Sequence, residues 1–239
     1  MSPTPSDALR DLRALMARGI NLDFRAPGPA SDRPMRRSAV LILFGALDHV
    51  PAVPDALTVG SSPAVAPELD VLLTRRATGM RHHAGQIAFP GGGWEPGDAG
   101  DAATALREAR EETGLDPAGV EVLGELHEIH LPVSNNVVTP VIGWWHAPSE
   151  VAADHTESVD VFRAPVAELL APSARGRSVL SRTTPDGTQI THRGDAFQLA
   201  PRLGGHIVWG FTGILLATLF DELGWARPWD PDREFAVLP

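Results

Sequence analysis

Twelve residues, "AATALREAREET" from Ala102 to Thr113, constrain this chain more than any other stretch. At 100° per residue, a helix here carries Ala102, Ala105, Leu106 and Ala109 on a side that can face a core. Glu108, Glu111 and Glu112 fall on another side. Asp101 is the expected N-cap and Gly114 the expected stop. The acidic side repels itself, since like charges one turn apart cost about 0.2–0.5 kcal/mol per pair. Arg107 and Arg110 offset only part of that. Alone, "EAREE" reads as a solvated face laced with ion pairs. The glycine run "FPGGG" just upstream, with Glu95 and Asp98 between, argues instead for a bound cation. Oxygen donors without nitrogen or sulfur partners suit Mg²⁺ or Mn²⁺, which work beside substrate phosphates. Exposed backbone at a glycine turn can add a carbonyl ligand.

The rest of the chain supplies a sheet for that helix to lie on. "SAVLILFGAL" (38–47) and "VLLTRR" from Val71 read as strands, separated by a proline-rich loop. "VEVLGELHEIHLP" and "NNVVTPVIGWWHA" are further strand candidates, and "VDVFRAPVAELL" is a strand running into a short helix. In "GWW", one tryptophan is expected in the core and one at the surface. Leu9, Leu12, Leu15 and Met16 mark a short amphipathic helix near the N-terminus. "HIVWGFTGILLATLFDELG" reads as a buried helix ended by Gly224, its apolar run too short to span a bilayer. Strands and helices mix without strict alternation, so an α/β domain with a mixed sheet is expected. The division expected is an N-terminal helix and linker over 1–35, then a domain over 36–239 with a surface excursion around 171–198.

Absences narrow the chemistry. With no cysteine, thiol catalysis, disulfides and cysteine-ligated zinc are excluded. With no lysine, so are a Walker A loop and Schiff-base catalysis. "HEIH" (127–130) lacks the spacing of a zinc-binding HExxH. A net charge of −10 leaves no expectation of a nucleic acid or membrane partner. No secretory signal is visible, so a cytoplasmic protein is expected. Apolar residues near both termini are candidates to pair in a homodimer.

Residues 92–115, "GGWEPGDAGDAATALREAREETGL", resemble the Nudix box, the signature of hydrolases that cleave diphosphates linked to a nucleoside. Arg107, Glu108, Ala109, Glu111, Glu112, Gly114 and Leu115 fill its second half. The first half departs from the pattern: Asp98 stands where the family has glutamate, and the spacing to Arg107 is one residue longer. The resemblance implies a Nudix fold, a mixed β-sheet sandwiched between α-helices. It also implies Glu108, Glu111 and Glu112 as ligands of Mg²⁺ or Mn²⁺, joined by Gly92, with Arg107 holding a glutamate in place.

Upstream, "LLTRRATGMRHHAGQIAFPGG" (72–92) is similar to the segment that marks the coenzyme A diphosphatase branch of that family. Leu72, Leu73, Thr74, Arg76, Ala77, Arg81, Gly85, Phe89, Pro90, Gly91 and Gly92 fill its fixed positions, and the likeness extends over about 38–222. The implied reaction is metal-dependent hydrolysis of coenzyme A, or a thioester of it, to 3′,5′-ADP and a 4′-phosphopantetheine species. Arg76, Arg81 and Gln86 are candidate substrate contacts; structural ion pairs are the competing role for the arginines. Glu111 or Glu112 is the favoured base, and Glu157, heading "ESVDVF", is the rival. Two alternatives stay open: another nucleoside diphosphate derivative as substrate (ADP-ribose, a dinucleotide or a nucleoside triphosphate), and a Nudix fold kept as a non-catalytic ligand-binding module.

Overall fold

The computed structural model describes residues 2–20, 34–46, 64–77, 85–131, 135–183 and 187–238. At its centre runs Arg36–Ala46 (β1), whose side chains alternate between two apolar layers. Ala39, Leu41 and Leu43 enter one layer, Ile42 and Phe44 the other, and all are fully buried. A strand covered on both faces has no polar side to present, which is why its sequence is one unbroken apolar run.

Around β1 the chain assembles Leu69–Arg76 (β2), Ile87–Ala88 (β3), Gly91–Gly93 (β4), Val120–Glu125 (β5), Ile129–Leu131 (β6), Asn136–Trp145 (β7) and Ser158–Pro165 (β8). These form one eight-stranded sheet. β1 runs parallel to β7 and antiparallel to β2 and β4. β5 and β6 both pair antiparallel with β7, while β3 and β8 pair antiparallel with β2. The sheet is mixed, as expected. The stretch "VEVLGELHEIHLP" yields two short strands on β7 rather than one.

Helices close both layers. Ala105 and Ala109 of Asp101–Thr113 (α2) pack on the Leu41 side, small enough to bring the helix close to the sheet. On the Phe44 side lie Leu12 and Leu15 of Pro5–Arg18 (α1), the ends of the short helix Val166–Leu169 (α3), and Leu215, Leu216, Leu219 and Phe220 of Gly210–Glu222 (α4). Each such fully buried side chain contributes about 1.5–3 kcal/mol. α1 opens on a capping box between Thr4 and Asp7, and Trp225 donates its indole N–H to Asp11 at 3.1 Å. The N-terminal helix therefore shares the core of the sheet it precedes.

The stretch expected as a surface excursion is a hairpin with a buried face. Arg175–Thr183 (β9) and Gln189–Gln198 (β10) pair antiparallel, flanked by Ile207–Val208 (β11) and by Glu234–Ala236 (β12), which runs parallel to β9. Phe197 meets Phe220 of α4 edge-on at 5.7 Å. Arg175 is 7% exposed, makes a two-pronged bond to Asp221 at 2.9 and 3.0 Å, and lies over Phe197 and Trp229. The tryptophan pair corrects the sequence reading: Trp144 and Trp145 are both buried, one in each layer, with Arg163 covering the Trp145 ring at 5.3 Å. Among the described residues, no helix is long and apolar enough to cross a membrane.

Candidate active site

α2 is held at its N-terminal end by groups that differ from those the sequence suggests. Gly100, not Asp101, is the N-cap, and as glycine it offers no side-chain bond. Asp101 is instead the first helical residue, drawn sideways by Arg37 at 2.9 Å and by the Thr139 hydroxyl at 3.0 Å. A carboxylate oxygen of Glu125 on β5 accepts from the exposed Ala102 amide at 3.0 Å, where helix-end N–H groups favour negative charge. The C-terminal end is as expected: Gly114 sits in the left-handed region at φ 70° and donates to Arg110 O at 2.8 Å.

Arg107 organises the acids. Its Nε and Nη2 donate to the two oxygens of Asp98 at 3.0 and 3.1 Å. Its Nη1 donates to Glu108 at 3.0 Å and Glu111 at 3.1 Å, and Nη2 also reaches the Gly93 carbonyl at 2.7 Å. Asp98, the residue that departs from the family pattern, thus pairs with the box arginine by both oxygens. The Arg107 guanidinium, with the Glu95 amide and the Thr104 hydroxyl, holds the Asp98 carboxyl well below the usual range.

The strand β4 passes beneath the helix, and its glycines set how closely. A Cβ on Gly92 would stand 2.5 Å from the Glu108 carboxylate, so only glycine leaves that side chain its place. Burial raises the Glu108 pKa, against the pull of Arg107. One turn further on, Glu112 is 4% exposed. Burial pushes its carboxyl up to about 8, against stabilisation from Arg76 and the Gly91 amide, while Glu108 and Glu157 add repulsion. Among the described residues its buried Oε2 makes no hydrogen bond. Glu111 differs: its side chain is 58% exposed and pairs with Arg107. Among the described residues no three acidic or imidazole side chains already form a cage. Glu108 and Glu112 thus lie one turn apart on the buried side of α2, with Glu111 turned outward to Arg107.

Glu157 arrives from the other side. Its loop is tied to the end of α2, Ala152 N donating to Thr113 O at 3.0 Å and Asp154 N to Glu112 O at 3.2 Å. The Glu157 carbonyl accepts from Ala77 N at 2.7 Å, just past Arg76 at the end of β2. Arg76 O and N bond to Gly85 N and Gln86 O at 3.1 and 3.0 Å, which brings Gln86 to the same strand end. Arg75 pairs with Asp160 of β8 at 2.6 Å, a structural partner. The structure thus brings Arg76, Gln86, Gly92, Arg107, Glu108, Glu111, Glu112 and Glu157 to one end of the sheet. Arg81 lies outside the described residues, as do His82 and His83. The sequence reading missed Asp154, and nothing local distinguishes it from any polar loop residue.

Chemically, these are hard oxygen donors around a buried carboxylate oxygen that lacks a partner, with cationic Arg76 beside it. That donor set fits Mg²⁺ or Mn²⁺ and a phosphate-bearing ligand. Residues 59–175 match the NUDIX domain family model. Over 159 residues the chain is 37% identical to a protein of Citrobacter koseri and 36% identical to one of Escherichia coli (strain K12), each named "Uncharacterized Nudix hydrolase NudL". Both likenesses cover 66% of this chain and 77% of the relative. A solved Nudix hydrolase from Alicyclobacillus acidocaldarius is similar with a TM-score of 0.41 and 18% identity, over 59% of this chain and 83% of that one. Fold and site together define a Nudix domain. The chain belongs to the Nudix hydrolase family, whose members bind nucleotide derivatives and generally use divalent metals such as Mg²⁺ or Mn²⁺.

Proposed function

We propose that this Nudix hydrolase cleaves the diphosphate of coenzyme A or an acyl-coenzyme A, releasing 3′,5′-ADP and 4′-phosphopantetheine or its acylated form. Hydrolytic chemistry is carried by one observation, the buried Oε2 of Glu112 without a hydrogen bond. An orphaned carboxylate oxygen in a protein interior is costly unless a cation takes it up. Glu108, Glu111 and Glu112, with the Gly92 carbonyl, would hold Mg²⁺ or Mn²⁺. When bound, that ion neutralises diphosphate oxygens and acidifies water at the site.

The protein's own side chains do the rest. Arg107 ties Glu108 and Glu111 together through its Nη1. Arg76 and Arg81 grip phosphate oxygens through paired N–H donors, and Gln86 adds a neutral contact. Water attacks one phosphorus as its bond to the bridging oxygen breaks, and a box glutamate, Glu111 or Glu112, accepts the water's proton in preference to Glu157. The substrate choice rests on the segment from Leu72 to Gly92, whose arginine Arg76 acts electrostatically on Glu112.

The test is a panel of coenzyme A, an acyl-coenzyme A, ADP-ribose, a dinucleotide and a nucleoside triphosphate, incubated with Mg²⁺ or Mn²⁺, with and without EDTA, and read by product mass. Coenzyme A compounds should be turned over fastest, giving 3′,5′-ADP, and EDTA should abolish it. Faster turnover of ADP-ribose would overturn the substrate assignment.

A further inference from the structure

The loop that carries Glu157 is built around a single side chain. Asp154 accepts from Ser158 N at 2.8 Å and from Glu157 N at 3.1 and 3.2 Å, and the Thr156 amide also points to it. These amides wrap one carboxylate, with His155 inside the turn at φ 61°, a left-handed conformation that non-glycine residues adopt at a cost. His155 N closes the turn on Ser158 O at 2.8 Å. Burial works against the charge of Asp154, but the surrounding amides outweigh it and hold its carboxyl below the ordinary range.

The turn is also fixed in space. The Asp154 amide donates to Glu112 O, and the Glu157 carbonyl accepts from Ala77 N, so the five residues bridge the helix end and the strand end. At the same point the β2–β8 ladder is irregular, with a register shift between Arg75 and Arg76 opposite Ser158. The shift marks where β8 leaves the sheet and the turn begins.

We propose that Asp154 is a positioning residue for the hydrolysis: its carboxylate folds residues 154–158 so that Glu157 is held beside Arg76, between the end of α2 that carries Glu112 and the end of β2. Without that carboxylate three amides lose their acceptor, and His155 loses what stabilises its strained conformation. Glu157, which is exposed, would then lose its fixed place beside Arg76. Asp154 itself touches neither substrate nor metal. The inference rests on the hydrolase reading above, but not on which diphosphate is the substrate.

A double-mutant cycle tests it on coenzyme A with Mn²⁺, or on ADP-ribose should coenzyme A prove inert. Asp154→Ala should lower kcat by about 10- to 100-fold with KM little changed, as expected when a charged group facing the reacting carboxylates is displaced by about an ångström. Asp154→Asn, which keeps an acceptor oxygen, should recover most of the loss. In a Glu157→Gln background Asp154→Ala should cost nothing further, because its effect runs through Glu157. Hydrogen exchange supplies a readout free of substrate: the Glu157 and Ser158 amides should exchange about tenfold faster in Asp154→Ala. An equal kcat loss in both backgrounds would overturn the proposal, since a general structural role predicts that. Unchanged kcat in Asp154→Ala, or unchanged exchange at these amides, would overturn it too. Failure of the substrate reading shows itself separately, as inert coenzyme A with an intact exchange difference.

Discussion

Two arginine-centred clusters in this molecule look alike in outline and differ in charge balance. In one, Arg175 and Arg177 share Asp195 and Asp221, with Trp229 lying under both guanidinium groups at 4.9 and 5.0 Å. Two cations meet two anions, and the pairs tie the C-terminal segment to the second sheet. In the other, Arg107 alone faces Asp98, Glu108 and Glu111, with Glu112 and Glu157 close enough to raise the cost of further charge. Acids outnumber arginines there, and Glu112 keeps a buried oxygen with no hydrogen bond. The balanced cluster leaves the buried Arg175 Nε without a hydrogen bond among the described residues, but its charges cancel and it serves the fold. The overfilled one carries surplus negative charge that a divalent cation would balance. The excess of negative charge, more than the presence of arginine–carboxylate pairs, separates site from scaffold.

Removing the unbalanced carboxylate should break the comparison most sharply. Glu112→Gln is expected to lower kcat by roughly 10² to 10⁴-fold, the range for loss of a group that handles proton or charge in the transition state, while leaving the circular dichroism spectrum unchanged. Retained turnover would place the chemistry elsewhere.

The second consequence is a pH dependence that belongs to the overfilled cluster. Glu112 has its pKa raised by burial, from an ordinary carboxyl value to about 8. Below the ordinary value folded and unfolded chains both carry its proton; between the two values only the folded chain does. Metal-free protein should therefore lose stability as pH rises from about 4.5 to about 8, by a total on the order of 5 kcal/mol, and level off above. Burial of Glu108 adds in the same direction. Urea denaturation in EDTA at pH 5 and pH 8 measures this. Saturating Mn²⁺ should flatten the trend, and Glu112→Gln should remove most of it.

The balanced cluster predicts the opposite pattern. Arg175→Ala should destabilise the protein by about 3 kcal/mol, the low end for removing one partner of a buried pair, because the Asp221 side chain is half exposed. Specific activity of the folded fraction should stay at the wild-type level. A loss of activity at constant stability would mean that the second sheet contributes to the site.

How much of this was legible in the sequence depended on how local each signal was. α2, its apolar and acidic sides and its stop at Gly114 follow from a 3.6-residue period within thirteen residues. β1 and β2 show through because strands covered on both faces carry near-continuous apolar runs, here Ala39 to Ala46 and Val71 to Leu73. The second sheet hid better: β9 reads "RGRSVLSRT", too polar for a strand pattern, and its neighbour β12 lies more than fifty residues away. The burial of Trp145 depends on Arg163 folding over its ring, a contact between strands. Asp98 looked like a defect in the motif because a one-residue longer loop changes the spacing; only the folded loop shows it meeting Arg107 with both oxygens. Arg76, a candidate substrate contact by its place in the motif, is separated from its neighbour Arg75 by the strand, which turns Arg75 to Asp160 while Arg76 acts on Glu112.

The central claim, that surplus carboxylate marks a divalent-cation site, is tested most directly by titrating Mn²⁺ into wild type, Glu112→Gln and Arg175→Ala and counting free ion by electron paramagnetic resonance. Wild type and Arg175→Ala should bind Mn²⁺ with the same Kd, and Glu112→Gln should bind it at least about tenfold more weakly, a loss of roughly 1.4 kcal/mol. Equal Mn²⁺ affinity in all three proteins, or none in wild type, would contradict it.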